Sequence, residues 1–160
     1  MLKVKDVMTT QVVTVSPGAA VRDAAALLAK KGISGAPVLD GGRVVGIFSE
    51  SDILRSIKTT KKDLHLVYPS VSPLGIAFQE EVTQREIIEA YGEVGTKPVR
   101  DVMTTAVVTV DPEMSLNDAV VKMIERQINR LPVVDKGVLV GIVTRGDVLK
   151  GLAKDGLESH

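Results

Sequence analysis

Val4-Lys5-Asp6-Val7-Met8-Thr9-Thr10 returns as Val99-Arg100-Asp101-Val102-Met103-Thr104-Thr105, and this recurrence decides the fold. The offset is 95 residues and it holds without a gap. Val12-Val13-Thr14-Val15 falls on Val107-Val108-Thr109-Val110, Pro17 on Pro112, and Asp23-Ala24 on Asp118-Ala119. Pro37-Val38 and Asp40 match Pro132-Val133 and Asp135, Gly46-Ile47 matches Gly141-Ile142, and Asp52 matches Asp147. Roughly 40% of positions are identical between residues 4–57 and 99–152, the mark of an internal duplication. Two copies of so long a unit do not make a solenoid. They read as a pseudo-twofold pair in which each copy covers an apolar face that the other leaves exposed.

Within each copy the periodicity predicts an order β-α-β-β-α. Gln11 to Val15 is rich in β-branched residues and bounded by Ser16-Pro17-Gly18, as a short strand would be. Ala19 to Lys30 has apolar residues at helical spacing, and Leu116, Ala119, Val120, Met123 and Ile124 repeat that spacing in the second copy. Ser115, followed by Asp118, resembles a helix cap with an early acid. Ala36-Pro37-Val38-Leu39 and Leu131-Pro132-Val133-Val134 read as buried strands. Asp40-Gly41-Gly42 and Asp135-Lys136-Gly137 read as hairpin turns. The strands Val44 to Phe48 and Leu139 to Val143 follow, then helices beginning near Ser51-Asp52 and Gly146-Asp147. The expected class is α/β (α+β), with the two units packed through their sheets.

The first repeat is assigned to residues 1–57, a connector to 58–98, the second repeat to 99–154 and a tail to 155–160. In the connector, Pro69-Ser70-Val71-Ser72-Pro73 is expected to resist regular structure. A helix is predicted over 78–91, stopped by Gly92. It either packs on the repeat pair or serves dimerisation or partner contact. The connector is longer than a minimal link, so something is built there.

Composition excludes several functions. Apolar residues make up 44% and charged residues 25%, the balance of a folded soluble chain. The net charge is zero, so no basic field is present to hold nucleic acid or an anionic membrane. Phe48, Phe78, Tyr68 and Tyr91 are the only aromatics, too few for a base-stacking platform. Without cysteine there is no disulfide frame, thiolate nucleophile or Cys-based zinc site. No membrane span or signal peptide is visible, and a cytoplasmic location is the expectation. His65 and His160 lack partners at metal-ligand spacing, and no metal site is expected. Met8, Met103 and Met123 read as core fillers, although Met8 and Met103 also suit a flat ligand.

The segments richest in chemistry are Gly46-Ile47-Phe48-Ser49-Glu50-Ser51-Asp52 and Gly141-Ile142-Val143-Thr144-Arg145-Gly146-Asp147. Each places Gly-Ile-x-Ser/Thr-x-x-Asp at a strand-to-helix junction. An acceptor-only carboxylate there can bridge the two hydroxyls of a ribose. The hydroxyl of Ser49 or Thr144 can bond ribose or phosphate, and amides at a helix start favour an anion. Ser/Thr-x-x-Asp is also a capping pattern, and the two roles are compatible. Arg130, just before a buried strand, suits a bidentate phosphate contact or an exposed surface position. Arg145, beside Thr144, suits a phosphate or a solvated face. No Gly-x-Ser-x-Gly elbow, Walker loop or His-Glu-x-x-His is present, and the chain is not expected to be an enzyme.

Together Val-x-Asp-Val-Met-Thr-Thr, the Pro-Val-x-Asp strand and Gly-Ile-x-Ser/Thr-x-x-Asp resemble cystathionine β-synthase (CBS) domains. The likeness covers both repeats, about two-thirds of the chain. The resemblance implies a disc-like tandem, or Bateman, module that commonly forms homodimers. It implies one or two clefts between the repeats for AMP, ADP, ATP, S-adenosylmethionine or related ligands. By that likeness Asp52 and Asp147 hold ribose, with Ser49 and Thr144 as the hydroxyls. Arg130 takes the place of a phosphate-contacting Arg, with Asn129 where the family commonly has His. Adenine is implied at Val13 and Ile33-Ser34, with Val108 and Ile128 as counterparts. Repeat one departs from the pattern at Ile33-Ser34-Gly35-Ala36-Pro37, which has no Arg. The clefts are therefore expected to be unequal, the one using Asp147 and Arg130 being stronger.

The function expected is a non-catalytic regulatory module that senses an adenosine-containing ligand, with no cofactor required. An unidentified regulated protein or the dimer would read the change. The alternative is a ligand-free dimerisation or interaction scaffold.

Overall fold

The offset of the sequence is also the offset of the structure. The computed structural model describes residues 1–60, 66–72, 75–81 and 84–158, with side chains described except at 60–83 and 157–158. Repeat one comprises α1 (Val4–Val7), α2 (Val21–Lys31), β1 (Gly35–Asp40), β2 (Arg43–Ser49) and α3 (Glu50–Thr60). The connector adds β3 (Leu66–Ser72), β4 (Gly75–Glu81) and α4 (Gln84–Gly95). Repeat two follows with a single 3-10 turn at Val99–Asp101, then α5 (Leu116–Arg126), β5 (Arg130–Asp135), β6 (Val138–Thr144) and α6 (Arg145–Glu158). The fold is α/β, each repeat a two-stranded antiparallel sheet with helices. His65, Pro73 and His160, named above from the sequence, lie outside the described residues.

Local chemistry accounts for these elements. α2 is Ala-rich and buries Val21, Ala24 and Leu28 at helical spacing. Gly32, at φ 64°, ends it, and Gln127 holds the same left-handed cap after α5 at φ 53°. Ser115 caps α5 by accepting from the Asp118 amide at 3.1 Å. The hairpin turns have positive φ at both central residues, 58° and 82° at Gly41-Gly42 and 52° and 82° at Lys136-Gly137. Turns of that hand match the twist of the flanking strands.

The strands expected over 11–15 and 107–110 are not strands. Each contributes one residue, Val15 bridging Val38 and Val110 bridging Val133, both in parallel. Val15 N donates to the Pro37 carbonyl at 3.0 Å and its carbonyl accepts from Leu39 N at 2.9 Å. The next parallel bonds need the amides of Pro17 and Pro37, and proline has none. Pro112 and Pro132 stop the second copy in the same way.

The connector also differs from expectation. The helix predicted over 78–91 is Gln84–Gly95, and residues 75–81 pair as β4 with β3 instead. Pro69, expected to break structure, pairs with Phe78 inside β3. A two-stranded sheet has only edge strands, where a missing amide is tolerated. Gly92 does not stop α4, which buries Ala90 and Val94 and packs on α2 and α3.

Contacts divide the chain into two compact units. Unit 1 comprises Met1–Ser16, Ala36–Ile47 and Thr105–His160; unit 2 comprises Pro17–Gly35 and Phe48–Thr104. The leading segment of each repeat is thus folded with the helices of the other. In unit 1, Val4 N donates to the Met114 carbonyl at 2.9 Å, Lys5 N to Pro112 at 3.0 Å, and Leu116 N to Leu2 at 2.9 Å. In unit 2 the same three bonds run from Val99 to Ala19, Arg100 to Pro17 and Val21 to Lys97. Val4 and Val99 are both fully buried. The core of unit 1 gathers Val4, Leu116, Ala119, Met123, Leu131, Val133, Val143 and Val148. Gly151 of α6 meets α1 so closely that a Cβ there would collide with Val7. At the surface, Lys3 and Lys5 donate to Glu113 at 2.6 and 2.7 Å. These two hydrogen bonds, reinforced by the ammonium charges, hold the Glu113 carboxyl down at about 2. The hydrogen bond of Lys5 to Glu113 and the negative charge of that carboxylate raise Lys5 above its ordinary value.

Candidate functional site

Each repeat turns from its second strand into its last helix on a Ser or Thr, and the carboxylate three residues later folds back onto that residue. In unit 1, Asp147 Oδ2 accepts from Thr144 N at 2.9 Å and from Thr144 Oγ1 at 3.1 Å. Thr144 Oγ1 in turn accepts from Asp147 N at 3.3 Å, which completes a capping box. In unit 2, Asp52 Oδ2 accepts from Ser49 N at 2.9 Å and Ser49 Oγ at 3.1 Å. The capping role weighed for Ser/Thr-x-x-Asp is therefore real, and it uses one carboxylate oxygen in each repeat.

The second oxygen of each carboxylate reaches the exchanged segment. Thr9 Oγ1 donates to Asp147 Oδ1 at 3.1 Å, and Thr104 Oγ1 donates to Asp52 Oδ1 at 2.7 Å. These threonines were not among the residues expected at the site. Their repetition at one register was the available signal, but the sequence does not say that each serves the other copy's acid. Thr9 is fixed by two backbone bonds with Ile142, each 2.9 Å. Gly141 favours that approach, since a Cβ there would lie 3.1 Å from the Thr9 carbonyl, tighter than an ordinary contact, and 2.6 Å from Met8 Sδ.

The two carboxylates then diverge. Asp52 is 2% exposed, whereas Asp147 is half-buried. Arg55 Nη2 donates to Asp52 Oδ1 at 2.5 Å, an ion pair one helical turn along α3. Arg55 was also missed, although Asp52-x-x-Arg55 is a spacing at which helical side chains meet.

The other expected site residues fall into both units. Arg130 opens β5 directly opposite Thr144. Arg145 N donates to the Asn129 carbonyl at 3.2 Å, and Glu50 N makes the same bond to Ser34 at 2.9 Å. Asn129 and the Arg145 side chain are exposed; Val13, Val108, Ile128 and Ile33 are half-buried. Asp147, Thr144, Arg130, Asn129, Arg145, Val13, Val108 and Ile128 thus belong to unit 1, and Asp52, Ser49, Ile33 and Ser34 to unit 2. No described contact joins Val13 or Ile33 to either carboxylate.

A groove of about 470 Å³ lies between α5 and α6 in unit 1, lined mainly by Val120, Met123, Ile124, Ile128, Val148 and Leu149. Asn129 and Arg145 stand at it, but Asp147 and Thr144 do not line it. Ile124 and Leu149 are 70% and 67% exposed, so this face is apolar and open to solvent. Among the described residues no three His, Asp or Glu side chains are grouped to hold a metal ion, and no helix is long and apolar enough to cross a membrane.

Comparison with known proteins accounts for the duplicated frame. The chain is similar to protein MJ1426 of Methanocaldococcus jannaschii, 40% identical over 155 residues that cover 95% of this chain and 92% of that one. It is similar to the CBS domain-containing protein YhcV of Bacillus subtilis, 36% identical over 92% of this chain and 84% of that one. Among solved structures, CBSX2 of Arabidopsis thaliana in complex with AMP superposes with a TM-score of 0.71 at 29% identity, covering 98% of this chain and 99% of that one. The family model of the CBS domain matches residues 4–59 and 99–154. The chain therefore belongs to the CBS domain family, as a tandem pair.

Proposed function

We propose that this CBS pair is a non-catalytic regulatory module that binds an adenosine-containing ligand, chiefly through the Asp147 set of unit 1. The observation that carries this reading is the half-buried Asp147 carboxylate, whose Oδ1 holds one hydroxyl donor at 3.1 Å and keeps acceptor capacity for a ribose hydroxyl. The Thr144 hydroxyl stands beside it. Arg130 and Arg145 supply positive charge for a phosphate, with Asn129 next to them, and Val13, Val108 and Ile128 offer apolar contact for adenine. Asp52, Ser49, Ile33 and Ser34 are the counterparts in repeat one. Support comes also from CBSX2, which was solved with AMP.

Calorimetric titration with AMP, ADP, ATP, S-adenosylmethionine and methylthioadenosine tests the proposal. Binding of at least one at micromolar affinity is expected, with at least a tenfold loss in Asp147→Ala. Silence across the panel rejects it.

The apolar groove favours a second reading, a self-association or interaction scaffold, since exposed apolar patches mark contact surfaces. Light scattering of Ile124→Glu and Leu149→Glu separates the two. A scaffold loses its assembly without any dependence on ligand.

A further inference from the structure

We infer that Arg55 acts as the resident occupant of the repeat-one site, so that this CBS pair takes its adenosine ligand at Asp147 and not at Asp52. The inference rests on the adenosine-binding reading and adds to it a residue that sets stoichiometry.

A carboxylate offers about four lone-pair positions. On Asp52 Oδ2 they are taken by Ser49 N and Ser49 Oγ, and on Oδ1 by Thr104 Oγ1 and Arg55 Nη2. Nothing remains for a ribose diol, and the acid is 2% exposed. Asp147 has the first three of these donors in equivalent form and lacks the fourth. Its helix carries Lys150 at the position of Arg55, and no described bond joins Lys150 to Asp147. Arginine's planar fork holds a carboxylate in a fixed geometry that an ammonium does not reproduce.

Two further differences point the same way. Where repeat two carries Arg130 and Arg145, repeat one carries Gly35 and Glu50. Glu50 starts α3, and its negative charge opposes a phosphate at that helix end. A ligand entering repeat one must displace a charge-assisted hydrogen bond and accept repulsion at its phosphate. Displacement alone weakens binding by about ten- to a hundred-fold.

Equilibrium dialysis against AMP, and against adenosine to remove the phosphate, tests this on the full chain. Wild type should bind one ligand per chain. Asp147→Ala should abolish that binding, and Asp52→Ala should leave the remaining affinity within about threefold. Arg55→Ala should gain a second adenosine site. Arg55→Lys, which copies repeat two and keeps a charge by the acid, should gain it also and guards against a folding defect. The second site should persist when Asp147→Ala is combined with either variant. Two ligands bound by wild type, or one still bound by both Arg55 variants despite a lowered Tm, overturns the inference and leaves the proposed function standing. No adenosine or AMP bound by any variant overturns the inference, and silence of the wild type across the whole calorimetric panel overturns the proposed function as well.

Discussion

Repeat one and repeat two place the same acid at the same register, after the same strand and opposite an exchanged threonine. Yet Asp52 lies under four donors and out of solvent, while Asp147 keeps three and stays half open. The frame was duplicated whole, and one residue on the following helical turn, Arg55 against Lys150, separates a sealed carboxylate from an available one. In one copy every acceptor position of the acid is engaged within the fold; in the other one position has no described donor.

That contrast can be broken by comparing the two acids directly. Asp52→Ala removes the acceptor of a buried network and should cost about 2–3 kcal/mol. Asp147→Ala loses a capping acid and one longer hydroxyl bond and should cost about 1 kcal/mol. Urea unfolding checks both, and equal losses contradict the division of labour.

A second substitution grafts repeat one onto repeat two. Gly151 is matched by Ser56, so Gly151→Ser copies a side chain that the first repeat accommodates. In α6 its Cβ collides with Val7, and the expected cost is about 1–2 kcal/mol, read as a lower Tm. A neutral or raised Tm shows that α1 yields freely at this point.

The reverse graft has a smaller effect. Gly18 is the counterpart of Glu113, and a Cβ on Gly18 would sit 3.5 Å from Arg100 Nη1, in ordinary contact. Gly18→Glu should therefore pair with Arg100 and raise Tm by about one or two degrees, less in high salt.

The smallest expected effect concerns Glu113 itself. Its folded-state value of about 2 lies below the ordinary 4.5, so the stabilisation it lends is complete above that ordinary value and fades as pH falls towards 2. Because the group is exposed, the change in acid stability should be slight. Glu113→Gln should remove it, leaving a flatter stability curve between pH 4.5 and 2.

Much of this was legible beforehand because the duplication checks every local reading twice. Helix starts, hairpin turns and the acid at the junction each occur in both copies with compatible chemistry. Pro17 and Pro37 were visible too, but their joint effect, the loss of two consecutive bonds on a parallel ladder, needed the pairing partner. The connector misled because apolar residues from Phe78 onward fit helical spacing loosely, while strand pairing with β3 is a non-local choice. The roles of Thr9 and Thr104 were hidden for a different reason. Periodicity shows that two segments are alike and is silent on which copy each one serves.

The trading of leading segments makes each repeat incomplete on its own. A polypeptide with one repeat would have lacked the strip that covers its own helices and the hydroxyl that meets its own acid. It would have found both in a second molecule of itself. Joined in one chain, the two halves complete each other while each remains free to differ, as Arg55 and Lys150 do.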